Sequence, residues 1–553
     1  MKDETSLLFE VSGEVCFRMG GIHTVISSKI PYVRKQWGNR HFLIGALIPA
    51  WDYEGHFQEA PDDAIDNDMV RDAVRKARDK GIRVHMGYWL VEGKPLVILL
   101  DPYKVPDGID QYKSAFLAAN NITPSRSYDL VNLYISFGYC LECFFKGIDK
   151  KDHEIIVHFH EYMTTVAITE IRKLNIKTVF TTHATTAGRY LAAINKSFHH
   201  AAPETDWKEE VKKISGYCRF CMELEQIAAR ECDIFTTVSP LTAAECLAFL
   251  NRSPDVITPN GLNIRSVKGN PAARAEDIRK YIQKITSLHL SRKEVFAKSN
   301  GLPPKKTFYF FTSGRYEYTN KGFDLIVGAL AKLNRWIARS GNDISVVMFF
   351  ITDMPYTLSP PVVQWMRRLK NALLYWRGAD IFLYKVPRHL RDCLLARDIA
   401  RSGLLNRMSD RVKILYHPQF LSLNSPSLKI NYPDFIRGCD LGIFPSYYEP
   451  WGYTPEECIS AGVPAVTSNM TGFGQYIAGH TEISADSGVF LLDWSKKNMI
   501  NDLFGILREF ILNDKEYRTE LEEKSEIFDW ENMISGYDLA YEKAGHTSPV
   551  HAA

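Results

Sequence analysis

The sequence predicts an α/β chain of two doubly wound parallel-sheet domains with helical insertions. Three observations predict it. Short apolar runs alternate with helical stretches in both halves, a charged stretch without strands that ends at Gly301-Leu-Pro-Pro divides them, and 553 residues suffice for two or more cores. In the first domain, 1–275, strands are expected at 7–11, 41–48, 96–100, 155–159, 178–182 and 234–238. Residues 276–300 read as a charged helical segment and hinge. The second domain, 301–525, has strands from 307 and at 346–351, 412–416, 441–444 and 465–468, with a helical insertion rich in Arg, Trp and Leu at 357–406. Helices at 503–526 and 530–543 follow, and residues 526–553 form a closing segment.

With 67 Lys and Arg against 65 Asp and Glu, no charge excess points to nucleic acid or an anionic membrane as a partner. The N-terminus lacks the apolar core of a signal peptide, and no apolar run approaches the roughly 18 residues of a membrane span. A cytoplasmic protein with its ten cysteines as thiols is expected. Cys140 with Cys143 and Cys218 with Cys221 have zinc-like spacing. Both pairs sit in apolar helical patterns, however, where a spacing of three repeats one face, so burial is expected rather than metal.

The most informative stretch is 444–466, FPSYYEPWGYTPEECISAGVPAV. It sets Glu449 and Glu457 on either side of a glycine turn that opens a helix. Thr454 reads as the N-cap and Pro455 as the first helical residue, which leaves free amides to meet a phosphate. Glu449 then lies where a sugar on that phosphate would sit, and Glu457 within reach of ribose hydroxyls. The alternative is a capping box between Thr454 and Glu457, with Glu449 a solvated loop residue.

Three further segments add chemistry. In FFTSGRYEYTNKGFDL, a buried strand ends at Gly314 and delivers Arg315 and Lys321 to the carboxyl edge of a parallel sheet, where open α/β sheets bind ligands. Arg offers a bidentate fork and Lys a compact charge, together suited to a departing diphosphate. Surface salt bridges are the alternative use of each cation. IIVHFHEY brings His158, His160 and Glu161 to a strand end, and His183 in FTTHATTAGRY reaches another. No HExxH helix follows, so a histidine lining a cleft is expected rather than a metal ligand. Gly20 and Gly21, between a strand and a helix, allow close backbone approach, but without GxGxxG they argue against a dehydrogenase-type dinucleotide site.

In order along the chain, MGGIHTV, GYWLVEGKPLVILLD, HFHEY, FTTHATTAGRYL, ITPNGLN, SGRYEYTNKG, HPQFL and FPSYYEPWGYTPEEC resemble the signature segments of the animal and fungal type of glycogen synthase. These segments span nearly the entire chain. The resemblance implies two Rossmann-like domains in the GT-B arrangement with a deep interdomain cleft. The first would be the acceptor side and the second the nucleotide-sugar side, with the final helix packed back on the first. It implies transfer of glucose from UDP-glucose to the non-reducing 4-hydroxyl of an α-1,4-glucan with retention, without cofactor or metal.

Residue by residue, Arg315 and Lys321 fall on the family's phosphate-binding cations, Glu449 on the carboxylate beside the donor sugar and Glu457 on the ribose contact. His160 matches the histidine facing the glucose. The amides of Gly452, Tyr453 and Thr454 match those meeting the diphosphate, and Gly20, Gly21, His183 and Arg189 fall in its other substrate-binding segments. Phe420 and Tyr432 resemble its aromatic contacts to uracil, with core packing as the alternative. The helical insertion and the charged segment correspond to family subunit contacts, which implies a homo-oligomer such as a tetramer.

Departures accompany the matches. The family's arginine-rich sensor of glucose 6-phosphate corresponds to NDKEYRTELEEKSEIFDW, whose acidic residues would repel a sugar phosphate, and regulation through the family's serine-rich tails is not expected. Activity without glucose 6-phosphate is expected. Arg18 stands for the family's lysine and His23 for its tyrosine. ADP-glucose as donor, another acceptor, and a catalytically silent glycan-binding subunit remain alternatives. Retention could proceed by double displacement or by front-face departure and attack, of which the second is favoured because neither glutamate is clearly placed as a nucleophile. A phosphorylase would need a lysine-bound pyridoxal phosphate, for which no segment matches.

Overall fold

Runs of β-branched and aromatic residues build two sheets. The computed structural model describes residues 6–547 apart from 18–19, 50, 52, 106–107, 123–128, 151–152, 195–206, 271–272, 292–305, 353–380, 384–392, 481 and 514. Arg18, the Pro pair of the expected hinge and most of the 357–406 insertion therefore lie outside the described residues.

The first sheet contains β1 (Leu7–Ser12), β2 (His41–Ala46), β3 (Phe57–Glu59), β4 (Val84–Trp89), β5 (Leu96–Leu100), β6 (Ile155–His160), β7 (Lys177–Thr182), β8 (Ile234–Thr237) and β9 (Val256–Ile257). Their order is β3-β4-β5-β2-β1-β6-β7-β8-β9. From β5 to β9 every pairing is parallel. The expectation of a wholly parallel sheet fails at one edge, because β3-β4 and β4-β5 are antiparallel. The link from Trp89 to Leu96 is too short for the crossover that a parallel neighbour requires, so it closes a hairpin instead.

Side chains alternate between the two faces of these strands. Phe9, Val11, Phe42, Ile44, Val157, Phe159, Phe180 and Phe235 form the apolar core on one face. The other is also buried and, beside an apolar patch with Leu43, Val97 and Leu99, carries a polar cluster of Glu10, His41, His158, His160, Thr181 and Thr236. Helices Gly21–Trp37 and Ser535–Gly545 bring Lys29, Tyr537 and Tyr541 against it.

The second sheet holds β10 (Lys306–Gly314), β11 (Ile344–Thr352), β12 (Val412–His417), β13 (Leu441–Ile443), β14 (Ala465–Ser468) and β15 (Val489–Leu492), in the order β12-β11-β10-β13-β14-β15 and parallel throughout. The chain runs outward from β10 through β11 to β12, then returns to β13 on the other side. This reversal makes the carboxyl ends of β10 and β13 the natural ligand edge of the sheet.

Residues up to Asn263 and from Phe528 onward form one compact unit, and Ile264–Ile527 form the other. The first unit thus ends before residue 275. The charged helix Ala275–Ser291, expected to be part of a separate linking segment, belongs to the second unit, where Ile278 and Ile282 bury their side chains against Gly438. No described helix is long and apolar enough to cross a membrane.

Candidate active site

In the second unit, the loop after β10 and the loop after β13 meet. Lys321 Nζ forms an ion pair with Glu449 Oε1, and Ser446 Oγ donates to the same oxygen at 3.2 Å. Neither side chain is far from solvent, with 13% and 19% of the respective surfaces exposed. Gly322, at φ +66°, draws the lysine loop onto the Phe444-Pro445 turn, where a Cβ would stand 2.4 Å from the Pro445 carbonyl oxygen. Arg315 is exposed and reaches Glu317 at 2.9 Å. Its partner lies two residues away and leaves the guanidinium open to solvent.

The helix expected from Pro455 begins two residues sooner, as Tyr453–Ser460, and its N-cap is Gly452 at φ +115°. Thr454 is therefore not the cap, because glycine alone adopts that backbone without strain and starts the helix there. The cap position is a glycine without a side chain, so the capping-box alternative between Thr454 and Glu457 falls away. The loop before it is stitched to residues 470–473 by Glu449 N to Met470 O, Gly472 N to Glu449 O and Phe473 N to Trp451 O. The first turn of the helix, with Tyr453 and Thr454, thus follows directly on a glycine cap that has no side chain.

Glu456 turns inward, where Trp451 Nε1 donates to it at 2.8 Å and burial pushes its carboxyl well above the usual range. Glu457 stays half-buried. Tyr432, also half-buried, bonds to Ser313 at the end of β10, and burial with Glu457 nearby pushes its phenol up. Phe420 is 57% exposed, which excludes the core-packing reading for it.

In the first unit, the Gly20-Gly21 turn differs from expectation. Glu14 Oε2 accepts from Gly20 N at 2.6 Å and from His23 N at 3.1 Å. A carboxylate already occupies the position that an approaching anion would need.

His160 ends β6 fully buried, and here the structure reveals partners that the sequence analysis missed. Glu10 on β1 accepts from His160 Nε2 at 2.9 Å and His41 Nε2 at 3.0 Å, and pairs with Lys29 Nζ at 2.7 Å. His160 Nδ1 lies 3.0 Å from His183 Nε2. Burial alone would push the Glu10 carboxyl up, but Lys29 and the two imidazoles outweigh it and hold it well below the usual range. Burial pushes His160 down to about 4, against the pull of Glu10, and lowers His158 and His183 as well. His158 is tied to Tyr541 at 2.9 Å and Thr181 at 2.6 Å, as a packed histidine.

Glu161, at φ +66°, grips the backbone of His183 and Ala184 at 2.9 and 3.2 Å. Arg189 is exposed on the helix Thr186–Ile194 and its charge lowers the Glu161 carboxyl, although burial leaves that group raised. Two signals for the missed residues were in the sequence. Glu10 interrupts an apolar strand, and Lys29 falls on the apolar stripe Ile22, Ile26, Ile30, Val33 of its helix; a buried charge implies a partner. The CxxC cysteines lie in helices Asp129–Lys146 and Gly216–Glu231, where Cys140, Cys143 and Cys221 are buried.

The family model for glycogen synthase matches residues 10–361 and 381–549. The chain belongs to the glycogen synthase family. A glycogen [starch] synthase of Neurospora crassa is 33% identical over 98% of this chain and 84% of its own length. The liver glycogen [starch] synthase of Homo sapiens is 32% identical over 97% and 83%. Among solved structures, the catalytic domain of starch synthase IV from Arabidopsis thaliana, bound to ADP and acarbose, superposes with a TM-score of 0.55 at 14% identity, covering 98% of this chain and 99% of that one. The glycogen synthase family member described here thus has a glycosyltransferase fold of the GT-B class.

Proposed function

We propose that the chain transfers glucose from UDP-glucose to the non-reducing 4-hydroxyl end of an α-1,4-glucan with retention of configuration. The observation that carries this reading is the strand-end cluster of the second unit, with Arg315 open to solvent, Lys321 beside Glu449 and a helix that starts at Tyr453 behind the glycine cap Gly452. Breaking the bond from the anomeric carbon to UDP moves about one negative charge onto the diphosphate while the sugar becomes oxocarbenium-like. Arg315, Lys321 and the amides of Tyr453 and Thr454 answer the first charge, and Glu449 the second. Glu457 and Tyr432 suit the ribose and base, and exposed Phe420 offers a further aromatic face.

Glu449 is neutralised by Lys321 and bonded to Ser446, which lowers its nucleophilicity. That favours front-face departure and attack, in which the leaving phosphate takes the acceptor's proton. Isolation of a glucosyl ester on Glu449 would overturn this route.

The test is incubation with labelled UDP-glucose and glycogen without added metal, beside ADP-glucose, and with Arg315→Ala and Glu449→Ala. Glucan labelling from UDP-glucose that both substitutions abolish is the expected result. Labelling from ADP-glucose alone, or none from either donor, would refute it.

A further inference from the structure

The polar face of the first sheet contains ionisable groups for which the reaction proposed above gives no role. Glu10 is fully buried, as are Lys29, His41 and His160. β1 lies between β2 and β6, so Glu10 stands at the centre of this cluster. Three candidate ligands, Glu10, His158 and His160, lie close enough together for a cation. Lys29 already supplies one, 2.7 Å from Glu10 and 3.9 Å from the centre of the Tyr537 ring. A metal ion there would be set against an ammonium group.

The hydrogen-bond directions follow from the chemistry of the members. A carboxylate only accepts, and a neutral imidazole has one donor and one acceptor nitrogen. His41 and His160 must then both donate from Nε2 to Glu10, which leaves His160 Nδ1 as an acceptor. The donor that meets it at 3.0 Å is His183 Nε2. His183 is consequently protonated on Nε2 and bare on Nδ1, and this Nδ1 is buried with no partner among the described residues. Its backbone is pinned separately by Glu161, so both the position and the orientation of the ring are set from beneath.

We propose that Glu10 is a positioning residue for glucosyl transfer: its carboxylate, paired with Lys29, imposes through His160 the tautomer in which His183 presents Nδ1 as an acceptor for a sugar hydroxyl. This rests on the function proposed above. Glu10 touches no substrate. Without it, His160 can donate from Nδ1 instead, His183 must then accept on Nε2, and its Nδ1 becomes a donor that meets the hydroxyl with the wrong polarity.

Two measurements test the proposal. In the wild-type protein labelled with 15N-histidine, His160 and His183 should each show a protonated Nε2 and a bare Nδ1, and the His183 Nδ1 signal should move when UDP-glucose and a maltooligosaccharide are added. A protonated Nδ1 on His183, or a signal that responds to neither substrate, as a buried water partner would give, overturns it. The second measurement uses the double variant Glu10→Met with Lys29→Met, which removes both buried charges together and avoids stranding either one.

A loss of at least about tenfold in kcat, with KM for UDP-glucose within about threefold and the melting temperature little changed, supports positioning, since it reports an interaction realised only in the transition state. A melting temperature that falls while kcat per folded molecule is kept would show a merely structural role and sink the proposal. Should the double variant fail to fold, the wild-type tautomers decide. If wild-type protein transfers no glucose from UDP-glucose, the functional reading fails by itself, and the tautomers are still read.

Discussion

Lys321 and Glu449 neutralise each other before any substrate arrives, so a diphosphate must compete with Glu449 for the ammonium group. Lys321→Ala should lower kcat by about 10²- to 10³-fold, the usual cost of removing one preorganised charge stabiliser. Glu449→Gln should do the opposite to product affinity. Titration calorimetry is expected to show tighter UDP binding, because Lys321 no longer has an anionic partner, together with a fall in kcat; unchanged UDP affinity would contradict the competition. His160 sets a pH dependence of stability. Its value falls from 6.5 when unfolded to about 4 when folded, so its contribution is complete above 6.5. As the pH drops through that window the unfolded chain takes up a proton that the folded one refuses, which costs about 3 kcal/mol by pH 4. Urea midpoints measured from pH 7.5 to 4.5 should fall, and fall less steeply in His160→Gln.

At the scale of elements, the helix Tyr453–Ser460 depends on a backbone that only Gly452 supplies easily. Gly452→Ala meets no atom nearer than 3.9 Å, so its cost is strain at φ +115° rather than a clash. A loss of about 1–3 kcal/mol is expected, with a raised KM for the donor as the helix start moves. The closing segment depends on Trp530, which is fully buried and donates to Ser28 Oγ at 2.7 Å on the helix that also carries Lys29. Trp530→Ala should cost about 3–5 kcal/mol by chemical denaturation. Most of the parallel strands were legible in the sequence because each is a largely apolar or β-branched run buried on both faces. β3, β4, β9 and β15 were not, since two to six residues of mixed burial give too weak a periodic signal. The start of the Tyr453 helix was misplaced by two residues because Thr454 and Pro455 form a good local start signal, which the left-handed glycine before them overrides.

For the whole molecule, the segment 513–530, read from the sequence as too acidic to bind a sugar phosphate, spends its cations internally. Lys515 and Lys524 both reach Glu520, at 3.4 and 2.9 Å, and Arg518 donates to the carbonyls of Ala461 and Arg437. Full activity without glucose 6-phosphate is therefore expected, and activation of more than about tenfold by that metabolite in the labelling assay would contradict it. The homo-oligomer that the sequence resemblance implies predicts several chain masses by light scattering on a sizing column, and a single chain mass would refute it. What the sequence by itself determined is the family, the two-sheet α/β class and the residues of the second-unit cluster, because these are carried by contiguous segments in which strand, turn glycine and functional side chain are neighbours. Only the tertiary structure decided that Glu14 caps the Gly20 turn from six residues away, and that Glu10 gathers Lys29, His41 and His160. Partners separated by up to 150 residues meet because adjacent strands and a crossing helix place them on one buried face, and no local pattern records which strand lies beside which.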